Sequence, residues 1–368
     1  MTFIEYRYIR YFDWISFLLV LLLSAVGLIF IYSATFTEQV PYSIFYKKQV
    51  FGMLSGILIY FICSFLNYET LSRIGYWLYF TIILLLLFTI FKGSIGMGGK
   101  RWIDIGFIKF QPSELAKLCF PMFITYYFIN DADDTKPALK TFFFPLSIIF
   151  VSFLLIVKQP DLGTGLILIF SGVFLIWHIG LPTKYLFFAG LILSLSTPLL
   201  WHVLKPYQKK RIFVFMGYGD SKKERYQIEQ SKIAVGSGGL WGKGINKGTQ
   251  NKLSFLPESR TDFIFSVICE EIGFAGAILV LLLYLLLYLR LFTMIRSIGH
   301  FYAQLLCIGL MIHLLLSTLI NVGMVLDLLP IVGIPLPFLS YGVTNLWVGF
   351  ASLGCINSIT AQRLTHEM

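Results

Sequence analysis

Charge is scarce in this chain. Asp, Glu, Lys and Arg make up 13% of its 368 residues, about half the share found in soluble domains, which excludes an ordinary solvated globule. Ten-residue segments of alternating polarity are lacking too. That removes the closed β-barrel, the one non-helical way to satisfy every backbone group in lipid. Cysteine is sparse and unpatterned. Cys63, Cys119, Cys269, Cys307 and Cys355 lie scattered through apolar stretches without pairing or metal-ligand spacing, and read as small core residues. P-loop spacing, a Ser-x-x-Lys nucleophile, low-complexity sequence and a clear internal repeat are all missing. The lead MTFIEYRYIRYFDW has no small-residue cleavage pattern, and the apolar run behind it is too long for a signal core. It reads as the approach to a first span.

Apolar residues are what the chain has, at 57%, with 36 Phe among them. Runs of roughly 18 or more with few charges predict membrane-spanning helices. The expected fold is an all-α integral membrane protein, one domain over 1–368, with ten transmembrane helices near 14–34, 49–66, 74–91, 112–130, 141–157, 163–179, 184–202, 262–289, 302–325 and 338–358. An even count puts both termini on one side. With the termini cytoplasmic, Arg7, Arg10, Arg73, Lys136, Lys140, Lys184, Arg290, Arg296 and Arg363 lie inside. Lys47, Lys48, Lys92, Lys100, Arg101, Lys109 and Lys158 lie outside. Nine against seven is a narrow positive-inside margin, and much of the outer excess sits in one loop, 92–111.

The segment 203–261 is a long extracytoplasmic loop between helices seven and eight. It holds twelve basic and four acidic residues, a net +8 against +10 for the whole chain. Three readings are comparable: a solvated loop, attraction to anionic headgroups, or an electropositive cradle for an anionic substrate.

Five stretches could carry chemistry. In GMGGKRWIDIGFIKFQPSELAK (96–117), glycines make a turn before Arg101 and Trp102, an anion fork beside an interfacial ring. Pro112 suits a first helical turn, and Glu114 and Lys117, three apart, can pair. In KQPDLGTG (158–165), Lys158 precedes Asp161, for which helix capping is favoured over substrate contact. In GSGGLWGKGINKGTQ (236–250), six glycines in thirteen residues surround Lys243 and Lys247, a possible backbone nest for an anion. In LPESRTDFIF (256–265), Glu258, Arg260 and Asp262 stand at the lip of an apolar run, with Thr261 or Asp262 as candidate N-cap. Glu270 and Glu271 lie about 12–14 Å further along that helix. The apolar stretch after them nearly spans alone, so 262–271 is expected to line an outer cavity, where ionisable residues are functional candidates. Last, LPIVGIPLPFLSYGVTN (329–345) reads as irregular backbone before Ser340, Tyr341 and Thr344, tolerable at depth only when buried or facing water. His313, Ser317 and Asn321 read as satisfied core polar groups, and the acidic run 131–134 as a solvated loop.

Taken in order, GGKRWIDIGFIKFQPSELAK, KQPDLGTG, PYQKKRI, QSKIAVGSGGLWGKGINKGTQNKLSFLPESRTDFIF, EEIGFAG and PLPFLSYG closely resemble the SEDS proteins (shape, elongation, division and sporulation) over nearly the whole chain. The GKGxxxGTQ stretch and the short tails are nearer the rod-shape branch than the division branch. The resemblance implies ten transmembrane helices in the bacterial cytoplasmic membrane and polymerisation of peptidoglycan strands from lipid II. It implies an essential carboxylate at Asp262, and motif positions around the central cavity at Arg101, Trp102, Gln111, Glu114, Lys117, Glu258, Ser340 and Tyr341. It implies a class B penicillin-binding protein as the crosslinking partner, within an elongation complex and membrane lipid. Nucleic acid is not an expected partner. Two positions depart from the family: Arg260 stands where histidine is usual, and Val343 where glycine is usual.

On this basis Asp262, with a near-normal pKa, is expected to act as general base in an inverting transfer. The growing strand and the acceptor lipid II meet there, and the departing pyrophosphate is held by Arg101, Lys117 or the loop lysines. Lys158, Asp161, Arg211, Lys243, Arg260, Glu271 and Thr344 complete the expected substrate-binding set. A divalent cation, Mg or Mn, has room in this scheme but no assigned ligands. Two other classes stay open: a lipid II flippase, and a non-catalytic scaffold for a penicillin-binding protein.

Overall fold

A computed structural model describes residues 12–366, apart from 97–98, 105, 107–108, 132–137, 197–200, 203–205, 217–221 and 253–254. Most of the N-terminal lead, Gly98, Lys136, nearly all of the acidic run and the first residues of the basic loop lie outside the described residues.

Helices stand at each place the apolar runs predict them. They are α1 (Trp14–Thr35), α2 (Ile44–Ser64), α3 (Tyr68–Lys92), α4 (Pro112–Asp131), α5 (Phe143–Lys158), α6 (Leu162–Ile179) and α7 (Thr183–Leu195), and, after the long loop, α11 (Ile264–Arg296), α12 (Phe301–Val325) and α13 (Val343–His366). Six of the described helices are long and apolar enough to cross a bilayer: α1, α3, α5 with the 3-10 turn before it, α6, α11 and α12. The others differ for visible reasons. Lys47 and Lys48 open α2, Glu114 and Lys117 open α4, α7 is short, and α13 carries many small polar residues.

Of those less apolar helices, α4 and α13 belong to the middle of the bundle, whereas α7 is exposed along nearly all of its described length. Along α4, Ala116, Phe120, Phe123, Ile124 and Phe128 are completely buried, and Phe123 stacks on Tyr76 with ring centroids 5.2 Å apart. The α2–α13 seam is tight because small residues face it. A side-chain carbon on Gly56 would come within 2.5 Å of the Phe350 ring. At one end of the bundle Arg290 of α11 pairs with Asp13 at 2.6 Å. Asp13 also caps α1 by accepting from the Ser16 amide, and its own amide donates to the Asn357 side-chain oxygen of α13 at 3.0 Å.

The loop at 94–110 forms a small antiparallel sheet of β1 (Ser94–Gly96), β2 (Gly99–Asp104) and β3 (Lys109–Phe110), with Gly96 paired to Gly99; Gly98 of the expected glycine turn lies outside the described residues. Trp102 pairs with Ser94 and Asp104 with Lys109. The segment 203–261 is likewise more ordered than a solvated loop. It contains α8 (Pro206–Phe215), α9 (Lys222–Ser237) and the single turn α10 (Thr249–Lys252). The buried Ser231 hydroxyl of α9 bonds the Ser266 hydroxyl of α11 at 2.9 Å and donates to the Val325 carbonyl at the end of α12.

Helix α11 is broken at Gly273, where φ is +68°. The carbonyls freed at Glu270 and Glu271 accept from the amides of Lys243 and Gly244, and the amides of Phe274 and Ala275 donate to the carbonyls of Gly239 and Leu240. The glycine-rich segment is thus spliced into the helix break and satisfies its polar groups. A side chain at Gly273 would fall on the Gly242 nitrogen and within 2.6 Å of the Leu240 carbonyl oxygen, so only glycine fits on both counts.

Candidate active site

Three carboxylates, Asp262, Asp161 and Glu114, line a cavity of about 280 Å³ together with Phe45, Lys48, Arg101, Trp102, Lys109, Gln111, Thr164, Thr261, Gly333, Pro335, Tyr341 and Gly342–Asn345. Strand β2 brings Arg101 and Trp102 to its wall and β3 brings Lys109; the start of α2 supplies Phe45 and Lys48, the starts of α4 and α6 supply Gln111, Glu114, Asp161 and Thr164, and the segments running into α11 and α13 supply Thr261, Asp262, Gly333, Pro335 and 341–345.

The three carboxylates are not equivalent. Asp161 is buried; Gln111 and Ser113 donate to its Oδ2 at 2.8 and 3.2 Å. Its Oδ1 accepts from the Thr164 amide as helix cap and lies 3.7 Å from Arg101. The expected capping and a place on the cavity wall therefore coexist. Glu114 pairs with Lys117 at 3.0 Å, both nearly fully buried. Asp262 is different. Among the described residues nothing donates to its carboxylate; its neighbours act on it through space. Burial first, and then the Glu258 charge, push its pKa up to about 6, against the opposing pull of Arg101 and Arg211. This corrects the near-normal value expected from the sequence. It also corrects the capping assignment: the residue flanking α11 is Phe263, which makes no side-chain cap bond.

Of the residues singled out in the sequence, the cavity gathers Arg101, Trp102, Gln111, Glu114, Asp161, Asp262, Tyr341 and Thr344. Lys117 sits behind Glu114. Glu258, at φ +55°, flanks Asp262 and accepts from the Thr261 hydroxyl. Arg260 lies over the Phe45 ring at 4.1 Å. Arg211 donates to the Ile331 carbonyl at 3.0 Å. Ser340 is buried and turned inward, donating to the Thr261 carbonyl at 2.6 Å while accepting from the Leu336 amide. Lys158 is exposed at the end of α5, apart from the lining.

Glu270 and Glu271 do not line the cavity. One Glu270 oxygen accepts from the Lys243 ammonium at 2.7 Å, the Thr249 amide and hydroxyl, and the Gln250 amide. Glu271 accepts from Ser33 of α1. Glu271 also accepts from the backbone amides of Asn246 and Gly248, so both carboxylates clasp the spliced segment, and Lys243 is spent there. Sequence reasoning missed Phe45, Lys48, Lys109, Thr164, Gly333 and Asn345. The outward excess of positive charge was the available signal for Lys48 and Lys109. For a metal, the lining offers no cage: Asp161 and Glu114 are engaged, and no group of three or more His, Cys, Asp or Glu converges among the described residues.

A many-helix bundle with long apolar spans and one poised carboxylate in a cation-bearing cavity defines a polytopic membrane protein with an enzyme-like site. Residues 13–365 match the Cell cycle protein family of FtsW, RodA and SpoVE, and the chain belongs to it. It is similar to the peptidoglycan glycosyltransferase MrdB of Escherichia coli (strain K12), 36% identical over 319 residues, with 86% of each chain covered. It is also similar to the stage V sporulation protein E of Bacillus subtilis (strain 168), 32% identical over 357 residues, covering 95% of this chain and 96% of that one. Among solved structures, a peptidoglycan synthase complex that coordinates polymerisation and crosslinking contains a chain matching at TM-score 0.79 and 28% identity, covering 96% of this chain and 98% of that one. The rod shape determining protein RodA of Thermus thermophilus matches at 0.70 and 26%, covering 96% and 97%.

Proposed function

We propose that this chain is a peptidoglycan glycosyltransferase that polymerises lipid II for cell elongation, with Asp262 as its general base. The observation that carries the residue assignment is the state of Asp262: the one carboxylate on the cavity wall with neither a hydrogen bond nor an ion pair among the described residues, and so free to take a proton.

In the proposed step, the acceptor sugar's hydroxyl oxygen attacks the anomeric carbon of the growing strand. Its proton passes to Asp262 as the new C–O bond forms. The bond to the lipid diphosphate breaks on the opposite face, the electron pair leaves with the diphosphate, and the anomeric configuration inverts. Arg101, Lys48 and Lys109 are the cavity cations suited to the developing anion. Trp102, Gln111, Tyr341 and Thr344 face the sugars, and burial, with Glu258 adding to it, raises the basicity of Asp262. Arg260 and Ser340 fix the loop. The cavity is small for a ligand site; it suits the reacting sugars, with strand and lipid leaving through its mouth.

In this reading ten helices cross the cytoplasmic membrane, both termini are cytoplasmic, and 203–261 lies outside. A class B penicillin-binding protein supplies crosslinking, as the synthase-complex neighbour suggests for this chain. The competing flippase reading needs charged groups along a path through the bundle. The charged lining is instead gathered around one cavity, which favours the enzyme. Purified protein in liposomes, with its partner synthase and labelled lipid II, tests this. Glycan ladders on a gel are expected. Lipid II crossing the bilayer without polymer would make it a flippase.

A further inference from the structure

Three consecutive backbone carbonyls beside the site are each held by a different donor. The Arg260 carbonyl accepts from the Tyr341 amide at 2.9 Å. The Thr261 carbonyl accepts from the Ser340 hydroxyl at 2.6 Å. The Asp262 carbonyl accepts from the Asn321 side-chain amide at 2.9 Å. Asn321 is completely buried in the apolar helix α12. Its second amide hydrogen goes to the Ile334 carbonyl at 2.7 Å, next to Gly333 and Pro335 of the cavity wall. One side chain therefore staples the segment bearing Asp262 to the irregular segment facing it. Its Oδ1 is buried with no partner among the described residues, so the side chain is held in the apolar span at a cost and entirely by these two donated bonds.

We infer that Asn321 is a positioning residue for Asp262: it fixes the aspartate's backbone against the 331–336 wall and so sets where the carboxylate stands and how much water reaches it. Ser340, through Thr261, is the second tooth of the same comb. The inference rests on the glycosyltransferase reading for its catalytic consequence but not for its geometry.

The charged groups around Asp262 are Glu258, Arg211, Arg101 and Asp161, with Glu114, Lys48 and Lys109 also on the cavity wall. Asn321 is neutral, so its replacement changes none of these charges. Releasing the comb should let water reach Asp262 and lower its pKa from about 6 toward the ordinary carboxylate range.

The test compares the native full-length chain, Asn321→Leu and Ser340→Ala in detergent and in liposomes. Infrared difference titration follows the Asp262 carboxyl, assigned by its loss in Asp262→Asn, and lipid II polymerisation is measured across pH. The expected result is a lower carboxyl midpoint in both variants and an acid limb of kcat that moves with it. At its optimum kcat should fall about 10- to 100-fold, as a misplaced catalytic group does, with KM changed by less than about threefold. A merely structural role lowers the folded fraction and leaves both midpoints where they are, and that outcome overturns the inference. If Asn321→Leu fails to fold, Ser340→Ala carries the same comparison. If the native chain makes no polymer, the enzyme reading fails while the carboxyl titration still decides the positioning.

Discussion

Asp262 stands among three cavity carboxylates yet is the one left without a hydrogen bond or ion pair among the described residues, and its chemistry follows from that. A base must be ionised, so activity is expected to hold at neutral pH and to fall as pH drops through about 6. A pH–rate profile checks it. The stability sign is opposite. A carboxyl whose folded pKa is raised favours the protonated fold, so its contribution is present in acid and is lost as pH rises through the ordinary carboxylate range to about 6. Asp262→Asn removes that cost. It should unfold at a higher temperature than the native chain at pH 8, by a gain on the order of 1 kcal/mol after solvent screening. At pH 4 the difference should largely close. The buried Glu114–Lys117 pair gives another prediction. Lys117→Met strands a buried carboxylate and should cost about 3–5 kcal/mol, whereas Glu114→Gln with Lys117→Met should recover much of it, read by denaturation of both variants.

Helix α11 is where sequence and structure part most instructively. Its charged lip suggested that Glu270 and Glu271 face substrate, because carboxylates in an apolar helix want a reason. The reason is the helix break at Gly273 and the glycine-rich segment spliced into it, which uses both carboxylates as anchors. That pairing joins residues about thirty positions apart and leaves no periodic trace, so a single sequence could not display it. Gly273→Ala meets both a left-handed φ and a backbone clash, and should cost at least about 2 kcal/mol, visible as a lowered melting temperature. The helices themselves were legible because apolar runs and helix length are local properties. So were the Glu114–Lys117 spacing and the Asp161 cap. The small sheet that presents Arg101 and the three helices inside the basic loop were not, since their strands are short and their faces are set by what they pack against. Nor was Asn321, whose importance lies in two loops distant in sequence.

For the whole molecule, some of the positive charge ties segments together and some lines the cavity. Lys232 pairs with Asp327, Lys243 with Glu270 and Arg225 with Glu229, so among the described residues three of the basic loop's twelve cations are engaged in ion pairs, two of them fastening the loop to carboxylates outside it. The cations that face the cavity are Lys48, Arg101 and Lys109. Attraction of a diphosphate-bearing lipid to that mouth should weaken with salt, raising KM more than it lowers kcat as ionic strength passes about 0.1 M. The bundle holds the site, the splice fixes the helix that bears it, and the comb sets the carboxylate. The most direct test of this account is polymerisation of labelled lipid II by the native chain and by Asp262→Asn, each with the partner synthase and each shown to be folded. The account predicts glycan ladders from the native chain and a loss of about 100- to 10,000-fold in the variant. Equal polymerisation by both would contradict it and send the search for the base to Glu258 or Glu114.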